Sequence, residues 1–369
     1  MRPSLFELAL LLPTLAAALG CAERVPDIAA ATAAAPPASS ATLEEVDGTL
    51  RSETHVLEEL APGVYFATGT GAVNVASNAL VVVNEEDVLV VDSHITPDAA
   101  RTLIDTVRAL TGKPLRYLVN SHFHFDHAHG NQAFPEGIEI IGHEYTRERL
   151  LGDVLSEPTY RRLGSPDVVA PQIAALEERL PTAGEEERPR LEAQLAMQRR
   201  HLAALDEIDP TPPNVTLTEK MTLHRGDREI QILHLGRGHT GGDLVVFLPA
   251  ERIAFTGDLF YPGAQYLGDG YPRELIATLE AIATLDADVL VGGHGPPVRD
   301  RAVLERSKQY LRQYWDQVAG FHARGLTVDE AIAEVDFDGW EDWAGFQLTF
   351  PAVLRLEVAR MYELLEGAD

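Results

Sequence analysis

Apolar residues between positions 63 and 92 come in short runs, first alternating and then continuous: Val64-Tyr65-Phe66, Ala79-Leu80-Val81-Val82-Val83 and Val88-Leu89-Val90-Val91. Turn residues separate them, so each run predicts a strand of a sheet. From Pro97 to Leu110 the period changes, because Ala100, Leu103, Ile104 and Val107 fall on one helical face and Pro97 and Asp98 suit a first turn. Leu115 to Val119 is the next short strand, and the alternation resumes after Ile138 and again from Ile230 to Val291. Strands alternating with helices predict an α/β fold with a helix-covered sheet.

Between Asp153 and Pro213 the chain is charged and helix-forming, with a break at Pro181 to Gly184 and with Leu191, Leu195, Leu202 and Leu205 on one face. This predicts an inserted helical hairpin over 153–213, either a brace for the domain or a lid over a site. After Asp300 the sequence reads as a helical extension, 301–369, in which Trp340, Trp343, Phe346 and Phe350 suit core packing.

The amino terminus follows other rules. Residues 1–21 place Arg2 before an apolar run that is too short and too broken to span a bilayer, which predicts a secretion signal. The run ends in Ala18-Leu19-Gly20-Cys21. This resembles the lipobox of bacterial lipoproteins, although that pattern prefers Leu where Ala18 stands and a small residue where Leu19 stands. Cys21 is the only cysteine, so no disulfide forms within the chain, and the reading divides between a lipid anchor on Cys21 and an ordinary cleaved signal. Residues 22–52, rich in Ala, Pro, Ser and Thr, read as a flexible tether to a globular domain over 53–300.

Composition narrows the partners. With 57 acidic against 30 basic residues the formal charge is −27, which repels a phosphate backbone and disfavours nucleic acid, leaving a small molecule as the expected substrate. The acidic surface also keeps an exported protein soluble. It does not indicate the oligomeric state.

The chemistry concentrates in Asn120-Ser121-His122-Phe123-His124-Phe125-Asp126-His127-Ala128-His129-Gly130-Asn131, directly after an apolar strand. Imidazoles with a carboxylate are ligands that zinc accepts, and His122 and His124 can point to one side of an extended turn and share an ion. Asp126 and His127 then face a neighbouring ion. A catalytic ion needs three protein ligands and an open position, so more must come from elsewhere. Three later segments carry them at or after apolar strands: His239 in Gly236-Arg237-Gly238-His239-Thr240, Asp258 in Phe255-Thr256-Gly257-Asp258, and His294 in Gly292-Gly293-His294-Gly295.

The His-x-His-x-Asp-His run at His122 to His127, with His239, Asp258 and His294 following in order, resembles the metallo-β-lactamase-fold superfamily over roughly residues 55–300. The resemblance implies an αββα sandwich and two zinc ions. One is held by His122, His124 and His239, the other by Asp126, His127 and His294, with Asp258 bridging them and Asp92 supporting the metal loop without binding metal. Of the other histidines, His94 reads as a substrate contact or a loop-surface residue. His129 and His143 read as supports for the ligands or as helix- and strand-end residues, and His55, His201, His224, His234 and His322 as solvated or core residues.

Two divalent ions lower the pKa of water to about 7 and polarise a substrate oxygen, which suits hydrolysis of an acyl bond with Asp126 or a metal-bound water handling the proton. The family's true β-lactamases carry Cys or Ser where Asp258 stands, so the resemblance points to an ester, lactone, thioester or amide before a β-lactam. Tyr261 to Tyr271, close after Asp258, is the loop expected to line the pocket or to be surface turn. Two other readings remain: a diiron oxidoreductase of the same fold, and a metal-binding periplasmic protein without turnover.

Overall fold

The computed structural model describes residues 41–343, 345, 347 and 351–367. The signal at 1–21, the first part of the tether (22–40), Phe346 and Phe350 lie outside them. Nine strands in sequence order form the first sheet: β1 Glu44–Val46, β2 Thr49–Arg51, β3 His55–Ala61, β4 Val64–Gly69, β5 Ala79–Val83, β6 Val88–Val91, β7 Leu115–Val119, β8 Glu139–His143 and β9 Val215–Leu217. They pair antiparallel as far as β6 and parallel from β6 to β9. The second sheet has five: β10 Lys220–Arg225, β11 Arg228–Leu233, β12 Val245–Leu248, β13 Ile253–Gly257 and β14 Val289–Gly292, with only the last pair parallel.

Why this makes four layers follows from which faces are apolar. β5 and β6 are buried almost throughout, as their continuous apolar runs require. One core lies between the sheets and joins Phe66, Leu80, Val91 and Ile141 of the first to Ile232, Val246, Phe255 and Val291 of the second. On the far face of the first sheet, helix α1, Pro97–Leu110, lays Ala100, Leu103, Ile104 and Val107 against Val81, Val90 and Leu118. Thr96 caps that helix by accepting from the Ala99 N–H at 3.2 Å, and Pro97 takes the first turn. The result is an αββα sandwich.

The tether is shorter than the sequence suggested. Residues 44–51 are not a linker but the β1–β2 hairpin on the sheet edge, with Val46 paired to Thr49. Asp47 (φ 51°) and Gly48 (φ 77°) form the two-residue turn that such a hairpin requires, and Asp-Gly is the dipeptide suited to it.

Past β7, the short helix α2, Phe125–Ala128, carries part of the candidate site, and β8 runs into α3, Glu144–Leu151. The chain then leaves the sheet for α4, Pro158–Leu163, α5, Pro166–Arg179, and α6, Arg188–Leu205, before returning as β9 beside β8. The expected hairpin is α5 with α6, which share a small core of Ile173, Leu176, Leu191, Leu195 and Leu205, with Leu202 partly buried against it. After β13 come α7, Pro272–Thr284, and after β14 the extension α8, Ala302–Ala323, α9, Val328–Glu334, and α10, Pro351–Leu365. These cover the outer face of the second sheet, where Trp343 is buried and Trp340 packs beside it. No described helix is long and apolar enough to cross a membrane.

Glu357 ties this extension to the loop after β13. Its fully buried carboxyl accepts from the Leu267 N–H at 3.1 Å, the Tyr314 hydroxyl at 3.0 Å and the Gln347 amide at 3.2 Å. Burial pushes this carboxyl from its ordinary 4.5 up to about 8. Folding therefore favours the protonated form, so this contribution is complete below the unfolded value and is lost as the pH rises through 8. Thermal melting followed from about pH 5 to about pH 9 should show a smaller decline for Glu357→Gln, which cannot ionise, than for the wild type; parallel curves would refute this assignment.

Candidate metal centre

β7 ends at Val119, and the polar residues after it cannot continue a buried strand. Asn120 and Asn131 lace the two ends of the following loop together through reciprocal amide bonds of 2.9 and 2.8 Å. Between them His122, His124, Asp126 and His127 turn into one place. His239 comes from the β11–β12 loop, Asp258 follows β13, and His294 follows β14. Gly293 is required here, since a Cβ on it would stand 2.2 Å from Asp258 Oδ1 and 2.6 Å from His127 Cε1.

All seven sequence-predicted ligands converge. Their ligand atoms fall into three groups, each with its atoms within 4.8 Å of one another: His122, His124 and His239; Asp126, His127 and His294; and His122, His127 and Asp258. The first two are the triads expected for the two ions, and the third spans them through Asp258. Asp258 reaches toward both sides, with Oδ1 3.4 Å from His127 Nε2 and Oδ2 3.1 Å from His294 Nε2 and 3.7 Å from His239 Nε2.

The remaining nitrogen of four imidazoles is held by a fixed partner. His122 Nδ1 meets Ser121 Oγ at 3.0 Å, His124 Nε2 meets Asp269 at 3.0 Å, His127 Nδ1 meets Asp92 at 2.8 Å, and His239 Nδ1 meets the Tyr266 carbonyl at 2.8 Å. Asp92 thus takes the supporting place expected of it, and it also accepts from the Ser121 N–H and hydroxyl at 2.7 and 2.8 Å. It holds a left-handed backbone, φ 66°, a conformation that costs on the order of 1 kcal/mol in a residue other than glycine and tends to cluster at functional sites.

What these partners leave over is the test of whether a metal fits. His122 Nε2, His127 Nε2 and Asp258 Oδ1 are buried and have no hydrogen-bond partner. Buried polar atoms rarely stay unpaired, and three aimed at one point suit cations. The electrostatics agree. Burial keeps His122 well below its ordinary range and takes His239 down to about 3, so both are neutral ligands. Against burial, the carboxylates of Asp126, Asp258 and Asp92 hold His127 well above its range, and Asp258 and Asp126 hold His294 up to about 10. Without metal, protons take the positive charge that two carboxylates demand.

The other histidines divide: His94 departs from its sequence reading, whereas His143 and His129 stand at the strand and helix ends that the sequence allowed. His94 neither touches the cavity nor lies on the surface: it is fully buried behind the site with its Nε2 3.2 Å from His55 Nε2. His143 is the N-cap of α3, accepting from the Tyr145 N–H. His129 is buried against Phe125 and Tyr160. His201 is not simply a solvated or core residue, since it lines the cavity described next. Asp269, which fixes His124, was not singled out at all, nor was Thr159 of α4, whose hydroxyl donates to Asp269 at 2.5 Å and lies 2.8 Å from the Tyr266 hydroxyl.

A cavity of about 590 Å³ opens onto Asp126, Asp258 and His294. Ile95, Phe125, Val168 and Val169 give it apolar walls, and Tyr261, Pro262 and Tyr266 of the loop after β13 line it as expected. The insertion forms one whole side.

The sequence matches the family profile of the metallo-beta-lactamase superfamily over residues 73–294, and the chain belongs to this superfamily. Among curated proteins it is 25% identical over 264 residues to a linear primary-alkylsulfatase of Pseudomonas sp., covering 68% of this chain and 48% of that one. It is 37% identical over 73 residues to a hydroxyacylglutathione hydrolase of Mesorhizobium japonicum, covering 20% of this chain and 28% of that one. The chain thus spans half or less of the length of these relatives. A solved stereoselective inverting sec-alkylsulfatase from Pseudomonas sp. superposes with a TM-score of 0.59 at 17% identity, over 84% of this chain and 50% of that one, which is a likeness of fold.

Proposed function

We propose that this protein is a dinuclear metal hydrolase that cleaves an acyl bond in a small, partly apolar substrate. His122, His124 and His239 would hold one ion, Asp126, His127 and His294 the other, and Asp258 both. The observation that carries this reading is the set of buried, unpartnered atoms of His122, His127 and Asp258, the last of which lines an apolar-walled cavity. Nitrogen and carboxylate oxygen donors in triads favour zinc, which supplies a hydroxide near neutral pH and polarises a substrate oxygen. The chain's own residues do the rest. Asp126 lines the cavity with Oδ2 3.3 Å from His294 Nε2 and can hold the released proton at that oxygen. The Tyr261 hydroxyl donates to the Ala264 carbonyl at 3.1 Å, so it shapes the pocket rather than reacting. Apolar walls exclude water from the substrate's organic part.

A second reading, sulfate-ester cleavage, is supported by the similarity to the linear primary-alkylsulfatase across 68% of the chain. Both are tested by assaying the purified chain, with metal content determined, on aryl esters, lactones, thioesters, β-lactams and a linear alkyl sulfate. Turnover of one class with two zinc ions, abolished by a chelator, is expected. Two iron ions with no hydrolysis would replace the reading with the oxidoreductase one, and two zinc ions with no turnover would leave a binding protein. The apolar segment before Cys21 supports work outside the cytoplasm, with the N-terminal lipid anchor as its membrane attachment; cell fractionation checks it.

A further inference from the structure

The insertion supplies the cavity with the polar groups that the site chemistry leaves unused. Arg162 of α4 lines it and forms no ion pair among the described residues, although neighbouring Arg161 pairs with Asp167 and, on the hairpin, Arg179 pairs with Glu187, Arg199 with Glu177 and Arg200 with Asp98. In a chain of net charge −27, a cation left without a carboxylate at a cavity wall is a place kept for an anion. To the same lining α6 contributes Gln198 and His201, three residues apart on one helical face. His201 is only 4% exposed, and its buried Nδ1 has no hydrogen-bond partner among the described residues. Gln198 donates to Gln172 at 3.1 Å, but its own Oε1 is buried and unpaired. Leaving a buried donor unsatisfied is costly, so an anionic ligand that reaches the His201 Nδ1 gains what the free protein lacks.

We infer that the insertion is a substrate-recognition subsite for a carboxylate-ended arm, held by Arg162 and by a hydrogen bond from the buried Nδ1 of His201, while the scissile bond lies at the metal centre. This rests on the hydrolase reading for the second half of the statement only. The substrate is then an ester with a second acidic end, not a plain alkyl ester, and the insertion is what selects it. Val168 and Val169, which also line the cavity, suit the methylene spacer of such a molecule.

The test is calorimetric binding of adipate and of hexanoate to the metal-replete full chain, since the two acids differ only in the second carboxylate. Adipate should bind at least about tenfold more tightly than hexanoate. The preference should disappear in Arg162→Gln, shrink in His201→Phe and persist in Arg161→Gln, which changes a neighbouring arginine that pairs with Asp167. Equal binding of the two acids by the wild type, or a preference that survives Arg162→Gln, overturns the proposal; adipate binding untouched by His201→Phe overturns the site as drawn. Hydrolysis of mono-4-nitrophenyl adipate is measured separately. Selective adipate binding with the ester left intact would refute the hydrolase reading and leave the subsite standing.

Discussion

Replacing Asp258 with alanine should reduce bound metal from two ions per chain to one or none and lower hydrolysis by on the order of a thousandfold. Asp258 belongs to the group that spans the two histidine triads, and its Oδ1 is among the buried atoms without a partner. Its loss leaves Asp126 as the carboxylate shared by His127 Nε2 and His294 Nε2, with one anion on that side of the two imidazoles where two stood. Elemental analysis of the purified variant, beside its activity, checks this. Two ions with full activity would sink the assignment, and a folded, metal-depleted protein would support it.

Asp269→Ala is expected to weaken metal binding about 10- to 100-fold, the usual cost of removing a carboxylate that orients a ligating imidazole. Asp269 holds His124 Nε2 and so turns Nδ1 toward the centre, where it lies 2.8 Å from His239 Nε2. Thr159→Val should move the same way by less, because Asp269 keeps its bond to His124 while losing the Thr159 hydroxyl. Competition with a chelator gives the affinity directly. An unchanged affinity in Asp269→Ala would make that bond incidental, and a Thr159 effect as large as the Asp269 effect would mean that α4 itself is needed to close the site.

The ligand residues were legible for a local reason. A run as polar as His122 to His127 directly after the apolar Leu115–Val119 strand has no structural use that hydrophobic burial would explain, and Asp258 and His294 each stand just past an apolar strand beside glycine. Asp269 and Thr159 carry no such mark. They meet their partners across 145 and 110 residues of sequence, and each alone is an ordinary loop or helix residue. His201 is buried, as a core residue would be, but the pattern of α6 gives only its helical face and not the cavity that it lines. The β1–β2 hairpin was missed although its Asp47-Gly48 turn was in plain view, since β1 is exposed throughout and shows no alternation against a core. The strands and helices that were read correctly are those whose burial imposes a period.

The placement of the insertion has a consequence for how such a protein can diversify. It leaves the sheet at β8, returns at the adjacent β9, and carries its own small core, so its length and composition can drift without shifting any strand register. Selection on what is bound can therefore proceed almost independently of selection on how bonds are broken. The two are tied through the Thr159–Asp269–His124 chain, which makes α4 a segment where a change in appetite would cost the chemistry.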